Sequence, residues 1–374
     1  MTFVELEKQY GNFYAPTYTI EVDGTNVQSK LYLEITSVEV DLSLKEMSRF
    51  SFTVNSPFQI TGSPTSSRAY KSYPLETDKM KDLFAFGKSV KISMGYADKQ
   101  NVLHQGVITA LQFNFPASGL PQINVSGYDL SYCMSKGRRS DPGKNKKDSE
   151  IVAQIARKYG LTPIVEDSRV EHPQIEQSQE SDLNFVRRLA ERNGYEFYVF
   201  NKNFYFRPPS DKKDDLLTLT WGESLISFNP EINLAEQVSS VEVRGWNVAT
   251  KQAIVGTAKA GDEERRGQDN SRRSGAEDIK KVCKDQDNPL RLRLPVYSQQ
   301  EADRRARSIL KRRSEMYVQG SGNSIGLPDI LPDTNIKLSG MGTIFDKRYY
   351  VEQSTHTINS SGYMTTFKVK EPII

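Results

Sequence analysis

Apolar side chains alternate with polar ones through much of the first third of the chain. Val38, Val40, Leu42 and Leu44 are spaced by Glu39, Asp41 and Ser43, and Phe50, Phe52 and Val54 by Ser51 and Thr53. A two-residue period puts every second side chain on one face of a strand, so each run has one face to bury. The alternation returns at Val90, Ile92 and Met94, at Leu111, Phe113 and Phe115, and at Ile123 and Val125, with Gly, Asn and Pro turns between. Half-buried strands at such intervals predict an antiparallel barrel or sandwich over residues 1–127.

Over residues 128–210 the period changes. The stretch "SYCMSKGRRSDPGKNKKD" is basic and holds Gly and Pro, which predicts a loop. Ser149 then caps a helix that carries Ile151, Val152, Ile155 and Ala156 and ends at Gly160. Ser181 caps a second helix, with Leu183, Val186, Leu189 and Ala190 on one face. Gly194 stops it, because glycine takes the left-handed conformation without a steric penalty. Tyr195 to Phe200 and Phe204 to Arg207 follow as a hairpin turning at Asn201–Asn203 and ending at Pro208 and Pro209. This is a small α+β domain.

Alternation resumes near Leu216 and runs through "QVSSVEVRGWNVATKQAIVGTA". The charged stretch after Gly261 is poor in large apolar residues and predicts a surface insertion. Ser298 and Glu301 form a capping box for a helix with Ala302, Ala306, Ile309 and Leu310 inward; "GSGNSIGLPDILPD" after it predicts a loop. The chain closes on strands around Ile336 and Leu338, Tyr349 and Val351, and Tyr363 to Val369. A second, discontinuous barrel is expected from residues 211–260 and 326–374, interrupted by a charged loop and helical insertion at 261–325. The fold class is α+β and mainly β, with two comparable antiparallel β-barrels.

The 374 residues are too many for one ordinary core. Hydrophobic residues make up 37% and charged residues 26%, and 50 basic side chains nearly balance 47 acidic ones, so no global field recruits nucleic acid or an anionic membrane. Cys133 and Cys283 form no CxxC and imply reduced, buried thiols in a protein made in a cytosol. The amino-terminal segment lacks the apolar core of a signal peptide, and no apolar run reaches the roughly 18 residues of a membrane helix, so no membrane insertion is expected.

Candidate chemistry is sparse. His356 follows Ser354 by two residues, so a strand puts both on one face, with Asp346 or Glu352 as a conceivable third member; there is no nucleophile elbow. His104 and His172 lack metal-ligand spacing. "GSGNSIG" follows a helix and has the wrong spacing for a dinucleotide fingerprint. The carboxylate pairs Glu180/Asp182, Asp214/Asp215 and Glu263/Glu264 could supply an acid and a base for carbohydrate or peptidoglycan hydrolysis, the alternative function, but they sit in loops or helix starts where acids meet water or a helix dipole. Basic clusters at Lys136, Arg138, Arg139, Lys144, Lys146 and Lys147, and along Arg304 to Arg313, could touch phosphates. No catalytic, cofactor-binding or metal-binding residues are assigned.

Several stretches together resemble the phage late control gene D proteins and the VgrG-like baseplate hubs of contractile injection systems, related to the T4-type hub. They are "VSGYDLSYCMSKGRR", "DSEIVAQIARKYGL", "QSQESDLNFVRRLAERNGYEFYV", "NFYFRPP", "VEVRGWNVATKQAIVG" and "YYVEQSTHTINSSGYMTTF". The positions that carry the likeness are Gly127, Asp129, Gly137, Arg138, Asp182, Leu183, Phe185, Leu189, Gly194, Arg207, Pro208, Gly245 and Trp246. The resemblance implies two tube-like β-barrels per chain and a homotrimer that joins a hexameric inner tube ring to a trimeric spike. It also implies baseplate wedge proteins at the flank and a lumen passing cargo protein or DNA. VgrG-type chains continue into a spike, whereas this sequence stops after its last strand, so a separate spike protein is expected.

Overall fold

The structure is a computed structural model and describes residues 1–29, 33–55, 59–61, 70–72, 82–210, 213–247, 251–262, 272–284 and 289–374. A thirteen-stranded sheet runs through both β regions. The first array lies in the spatial order Glu34–Ser43, Arg49–Asn55, Gln122–Asp129, Lys99–Asn114, Ser89–Tyr96, Pro16–Val22. The second lies in the order Leu225–Ile232, Val318–Ile325, Gly362–Glu371, Lys347–Asn359, Asn335–Ser339, Leu217–Thr220. Counted along the chain, both orders are 2-3-6-5-4-1. They differ in one pairing: Pro16–Val22 is antiparallel to Ser89–Tyr96, and Leu217–Thr220 is parallel to Asn335–Ser339.

The arrays are joined by hydrogen-bonded pairing of Glu34–Ser43 with Lys347–Asn359, from Val38 opposite Ile358 to Ser43 opposite Gln353. One hydrophobic cluster accordingly extends through both, from Val38, Phe50 and Phe52 to Phe367 and Val369. The chain is mainly β with large antiparallel arrays, as expected; among the described residues, strand pairing does not close either array into a ring. The alternation is otherwise as anticipated, with Val38, Val40, Leu42, Phe50, Phe52, Val54, Val90, Ile92 and Met94 all buried. Phe113 and Phe115 are exceptions and stand exposed.

Helices Asp148–Lys158 and Asp182–Asn193 pack around Val152, Ile155, Leu183, Phe185, Val186 and Leu189 with the hairpin Glu196–Phe200 and Asn203–Arg207. Ser181 caps the second helix by accepting from the Asn184 N–H at 3.2 Å, and Gly194 ends it at φ 69°. The first helix begins one residue before Ser149, whose N–H donates to Ser168 Oγ. The basic stretch expected as a loop contains a strand, Arg139–Lys147, paired antiparallel with Glu171–Glu180. Arg139 faces Glu180 and Lys147 faces Glu171 there. Cross-strand charge pairing supports such a ribbon without any hydrophobic period to reveal it.

Ser240–Asn247 and Gln252–Lys259, expected in the second barrel, form a separate three-stranded sheet with Pro289–Arg293. Helix Gln299–Ser314 covers this sheet; Gly256 lets it come close, since a β-carbon there would lie 2.5 Å from the Asp303 nitrogen. Ser298 accepts from the Glu301 N–H, but the Glu301 carboxylate reaches back to the Tyr297 N–H rather than to that of Ser298. Part of the charged insertion is the capped helix Gly275–Val282; residues 263–271 and 285–288 lie outside the described residues. The "GSGNSI" segment expected as a loop belongs to the strand Val318–Ile325. Its glycines admit aromatic rings: a β-carbon at Gly320 would lie 2.5 Å from Phe228 Cζ, and one at Gly322 2.5 Å from Phe367 Cζ. Of the thiols, Cys133 is exposed and Cys283 half-buried, contrary to the expectation of burial.

Candidate assembly site

Between Gly326 and Thr334 the chain repeats Leu-Pro-Asp, at 327–329 and 331–333. Proline cannot donate to a ladder, so the segment leaves the sheet and runs as a strap. Leu327 and Ile330 are fully buried beneath it. Each aspartate of the repeat receives tyrosine hydroxyls. Asp329 accepts from Tyr10 on helix Phe3–Tyr10 at 2.6 Å and from Asn101 in the first array at 3.3 Å. Asp333 accepts from Tyr350 in the second array at 2.7 Å and from Tyr198 in the α+β hairpin at 2.9 Å. It is also ion-paired with Arg207 and accepts from the Ser210 N–H at 2.7 Å.

Buried Asp333 takes φ 62°, a conformation that aspartate tolerates better than most residues with a β-carbon. Tyr96 adds a hydrogen bond to the Gly326 carbonyl at 2.9 Å. The strap thus ties together the first array, the second array and the α+β unit through charge-assisted bonds, each stronger than a neutral hydrogen bond. Burial beside Asp333 pushes the Tyr198 hydroxyl well above its ordinary pKa, and burial beside Asp329 does the same for Tyr10. Both hydroxyls stay protonated and keep donating.

His356 and Ser354 share an inward face, as their spacing predicts, and both are buried. They do not bond to each other. The His356 ring meets Tyr363 Oη at 3.0 Å, Thr365 Oγ1 at 3.2 Å and the Ile330 carbonyl at 3.1 Å. Burial lowers its pKa to about 4. It is a neutral support for the strap. His104 lies against the Phe50 ring with its pKa lowered to about 3 by burial. Among the described residues no group of three or more His, Cys, Asp or Glu is placed to hold a metal ion.

The positions singled out by sequence fall mostly at packing and turn points. Gly127 gives room to Phe50, whose Cε1 would lie 2.8 Å from a β-carbon there. Asp129 is buried and accepts from the N–H groups of Ser48 and Ser131 at 2.7 and 2.8 Å, holding the chain where the first array ends; burial raises its pKa to about 6. Gly137 turns the chain at φ 74°, and Arg138 is exposed. Leu183, Phe185 and Leu189 are core, and Gly194 lies against Ser308 of helix Gln299–Ser314. Arg207 belongs to the Asp333 joint, and Pro208 lies just past the end of its strand. Gly245 makes room for Val296, while Trp246 is exposed. Asp329 and Asp333 were missed, although the repeated Leu-Pro-Asp is a signal that could have marked them.

Three carboxylates of the hydrolase alternative, Asp182, Glu180 and Asp215, are held in structural bonds, and Asp214 is exposed. Burial works against ionisation of Asp182, but bonds from Lys158, Gln177 and Tyr159 at 2.7–2.9 Å outweigh it and lower its pKa. Glu180 is held by Arg188 at 2.5 Å and Asp215 by Arg348 at 2.5 Å; Glu263 and Glu264 lie outside the described residues. The basic helix is similarly engaged: Arg304 donates to the Ser168 carbonyl at 2.8 Å, Arg305 meets Glu301 at 3.5 Å, and Arg313 pairs with Glu236. Among the described residues no helix is long and apolar enough to cross a membrane.

Two linked β arrays are strapped to an α+β unit, and Asp182, Glu180, Asp215, Arg304, Arg305 and Arg313 are engaged in hydrogen bonds or ion pairs within the chain. The chain belongs to the Alg8 N-terminal domain family, whose model matches residues 14–360. It is 25% identical over 261 residues to a probable baseplate hub protein of Escherichia phage 186; the match takes in 62% of this chain and 66% of that relative, just under two thirds of its length. The fold is that of the 43 kDa tail protein of prophage MuSo2 from Shewanella oneidensis, at TM-score 0.68 and 13% identity over 96% of this chain and all of that one. It is also similar to an Escherichia coli type VI secretion component described as resembling the T4 tail proteins gp27 and gp5, at TM-score 0.57 and 14% identity over 94% of this chain and 76% of that one. The chain is thus similar, in fold and over part of its sequence, to phage tail and baseplate proteins and to VgrG-like hub components.

Proposed function

We propose that the chain is a trimeric baseplate hub, which adapts a hexameric inner tube ring to a trimeric spike and leaves a lumen for cargo protein or DNA. The observation that carries this reading is the identical strand order of the two arrays. Three copies would offer six comparable arrays to a six-fold tube ring while keeping three-fold symmetry toward the spike. The strap from Gly326 to Thr334 would hold the arrays in fixed register during contraction, since its two aspartates reach all three regions. Baseplate wedge proteins would bind around the side. The chain would be made in the bacterial cytoplasm and work as part of an assembled tail or injection particle.

The test is absolute mass by light scattering, with the protein alone and co-expressed with a candidate spike. A mass of three chains, or of a three-plus-three complex, is expected, with interfaces on the order of 2,000 Å² or more, as in obligate oligomers. A monomer indifferent to the spike would reject the hub.

A further inference from the structure

Helix Gln299–Ser314 and the α+β unit leave a cleft of about 600 Å³ between them. Four arginines line it, Arg188 and Arg192 from helix Asp182–Asn193 and Arg305 and Arg312 from helix Gln299–Ser314. Its apolar surface comes from Ile175 of the ribbon, from Leu294 and Tyr297 ahead of the second helix, and from Ile309 within it. Apolar walls with a few convergent polar groups, at this volume, are what small-molecule sites share.

A guanidinium carries five N–H donors and no acceptor. Arg192 bonds through two of its nitrogens to the Asp148 carboxylate, and Arg188 through two of its own to Glu180 and the Glu176 carbonyl. Arg305 and Arg312 make no hydrogen bond among the described residues. Each lies only at ion-pair distance from an acid, Arg305 at 3.5 Å from Glu301 and Arg312 at 3.9 Å from Glu191. Little of Arg305 reaches water instead: its side chain is 13% exposed, and its Nε is buried with no partner. Two further buried atoms around it lack partners, Glu301 Oε1 and His172 Nδ1, on side chains that are both more than nine-tenths buried. His172 stands edge-on to the Tyr297 ring at 5.9 Å. Native interiors pair nearly all such atoms, so three of them at one cleft call for an explanation.

The surrounding charge decides which ligand fits. Asp148, Glu180 and Glu301 already balance Arg192, Arg188 and Arg305, and exposed Glu176 and Glu191 also line the cleft. A doubly charged phosphate would be repelled by these acids. Burial holds the His172 pKa below its ordinary value, so the ring adds no positive charge. What the arginines lack is acceptors rather than counter-charge, and the planar fork of a guanidinium matches a carboxylate.

We infer that this cleft binds a singly charged carboxylate carried on an apolar body, with the carboxylate on Arg305 and Arg312 and the body against Leu294, Tyr297 and Ile309. The C-terminus of a polypeptide and a small free organic acid share this chemistry. Such a ligand would also hold helix Gln299–Ser314 against the α+β unit, since both contribute to the cleft. The site lies within one chain and is independent of the number of copies in the assembly.

The test is isothermal titration calorimetry of the full chain with N-acetyl-Ala-Phe bearing a free C-terminal carboxylate, with the same dipeptide as its C-terminal amide, and with 3-phenylpropionate. The free-acid dipeptide is expected to bind on the order of tenfold more tightly than the amide, which offers no charged acceptor to an arginine. Arg305→Gln should remove most of that difference. Arg312→Gln, at an exposed position that does not endanger the fold, should weaken the acid several-fold and leave the amide unchanged. Tyr297→Ala should weaken acid and amide alike, through lost apolar contact. Binding of phenylpropionate would show that a free organic acid suffices, and binding of the dipeptide alone would point to a polypeptide end; both outcomes support the site. Equal affinity for acid and amide, an acid affinity indifferent to Arg312→Gln, or no binding of either acid at millimolar concentration would overturn it and leave the cleft to water.

Discussion

The two β arrays share one strand order, yet fill their interiors with opposite residues. In the first, Phe50 and Phe52 stand opposite Gly127 and Val125. At the matching places in the second, Gly320 and Gly322 stand opposite Val369 and Phe367. Bulk has moved across the sheet from one strand to its neighbour. Close packing restricts the summed volume at a site rather than the residue at each position, so a fold repeat can persist with no repeat in sequence. The glycines of "GSGNSI" are the imprint of that exchange, and they read as a loop only while Phe228 and Phe367 are out of sight.

The largest effect should come from removing the displaced bulk. Phe367→Ala is expected to cost about 3 to 5 kcal/mol in urea unfolding, through the cavity it leaves. Gly322→Ala alone should cost about 1 to 3 kcal/mol by overpacking against the same ring. In the Phe367→Ala background that second cost should disappear, because the clash has gone. Additive costs would show that the exchange of volume is not what relates the arrays.

A comparable loss is expected at the strap. Asp333→Ala strands Arg207 and should cost about 3 to 5 kcal/mol, whereas Asp329→Ala, half-buried and facing neutral donors, should cost about 1 to 2 kcal/mol. Equal effects at the two aspartates would mean that the strap does not draw its strength from the joint to the α+β unit.

The smallest effect per step is a pH slope that separates the arrays. His104 in the first and His356 in the second have pKa values lowered by burial to about 3 and about 4. A base whose folded pKa is depressed stabilises above its unfolded value and loses that contribution as pH falls. Each histidine should therefore remove at most about 1.4 kcal/mol per pH unit below roughly pH 6.5. Asp129, raised to about 6, runs the other way: its contribution is present below about pH 4 and lost as pH rises through 6. Urea unfolding at several pH values checks the sum. His104→Leu should flatten the slope with no loss at pH 8, since its Nε2 has no hydrogen-bond partner. His356→Leu should flatten it and also destabilise at pH 8, because it breaks the bonds to Tyr363, Thr365 and Ile330. Identical behaviour of the two variants would remove the distinction.

By itself the sequence determined whatever depends on near neighbours along the chain. The two-residue alternation marked Val38 to Leu42, Phe50 to Val54 and Val90 to Met94 as strands. The Ser181 cap, the 3.6-residue spacing of Leu183, Val186 and Leu189, and the Gly194 stop delimited a helix. These signals are local because a strand face, a cap and a left-handed turn each involve only a few consecutive residues. What joins distant segments was left to the tertiary structure. The Arg139–Lys147 ribbon is read only beside Glu171–Glu180, the glycines of Val318–Ile325 only beside two phenylalanines, and Asp329 and Asp333 only once Tyr10, Tyr198, Tyr350 and Arg207 converge on them. Exposed Phe113 and Phe115 follow the same rule. Their alternation marked a strand face, but which surface covers that face depends on volume, charge and hydrogen bonds from chain that is remote in sequence.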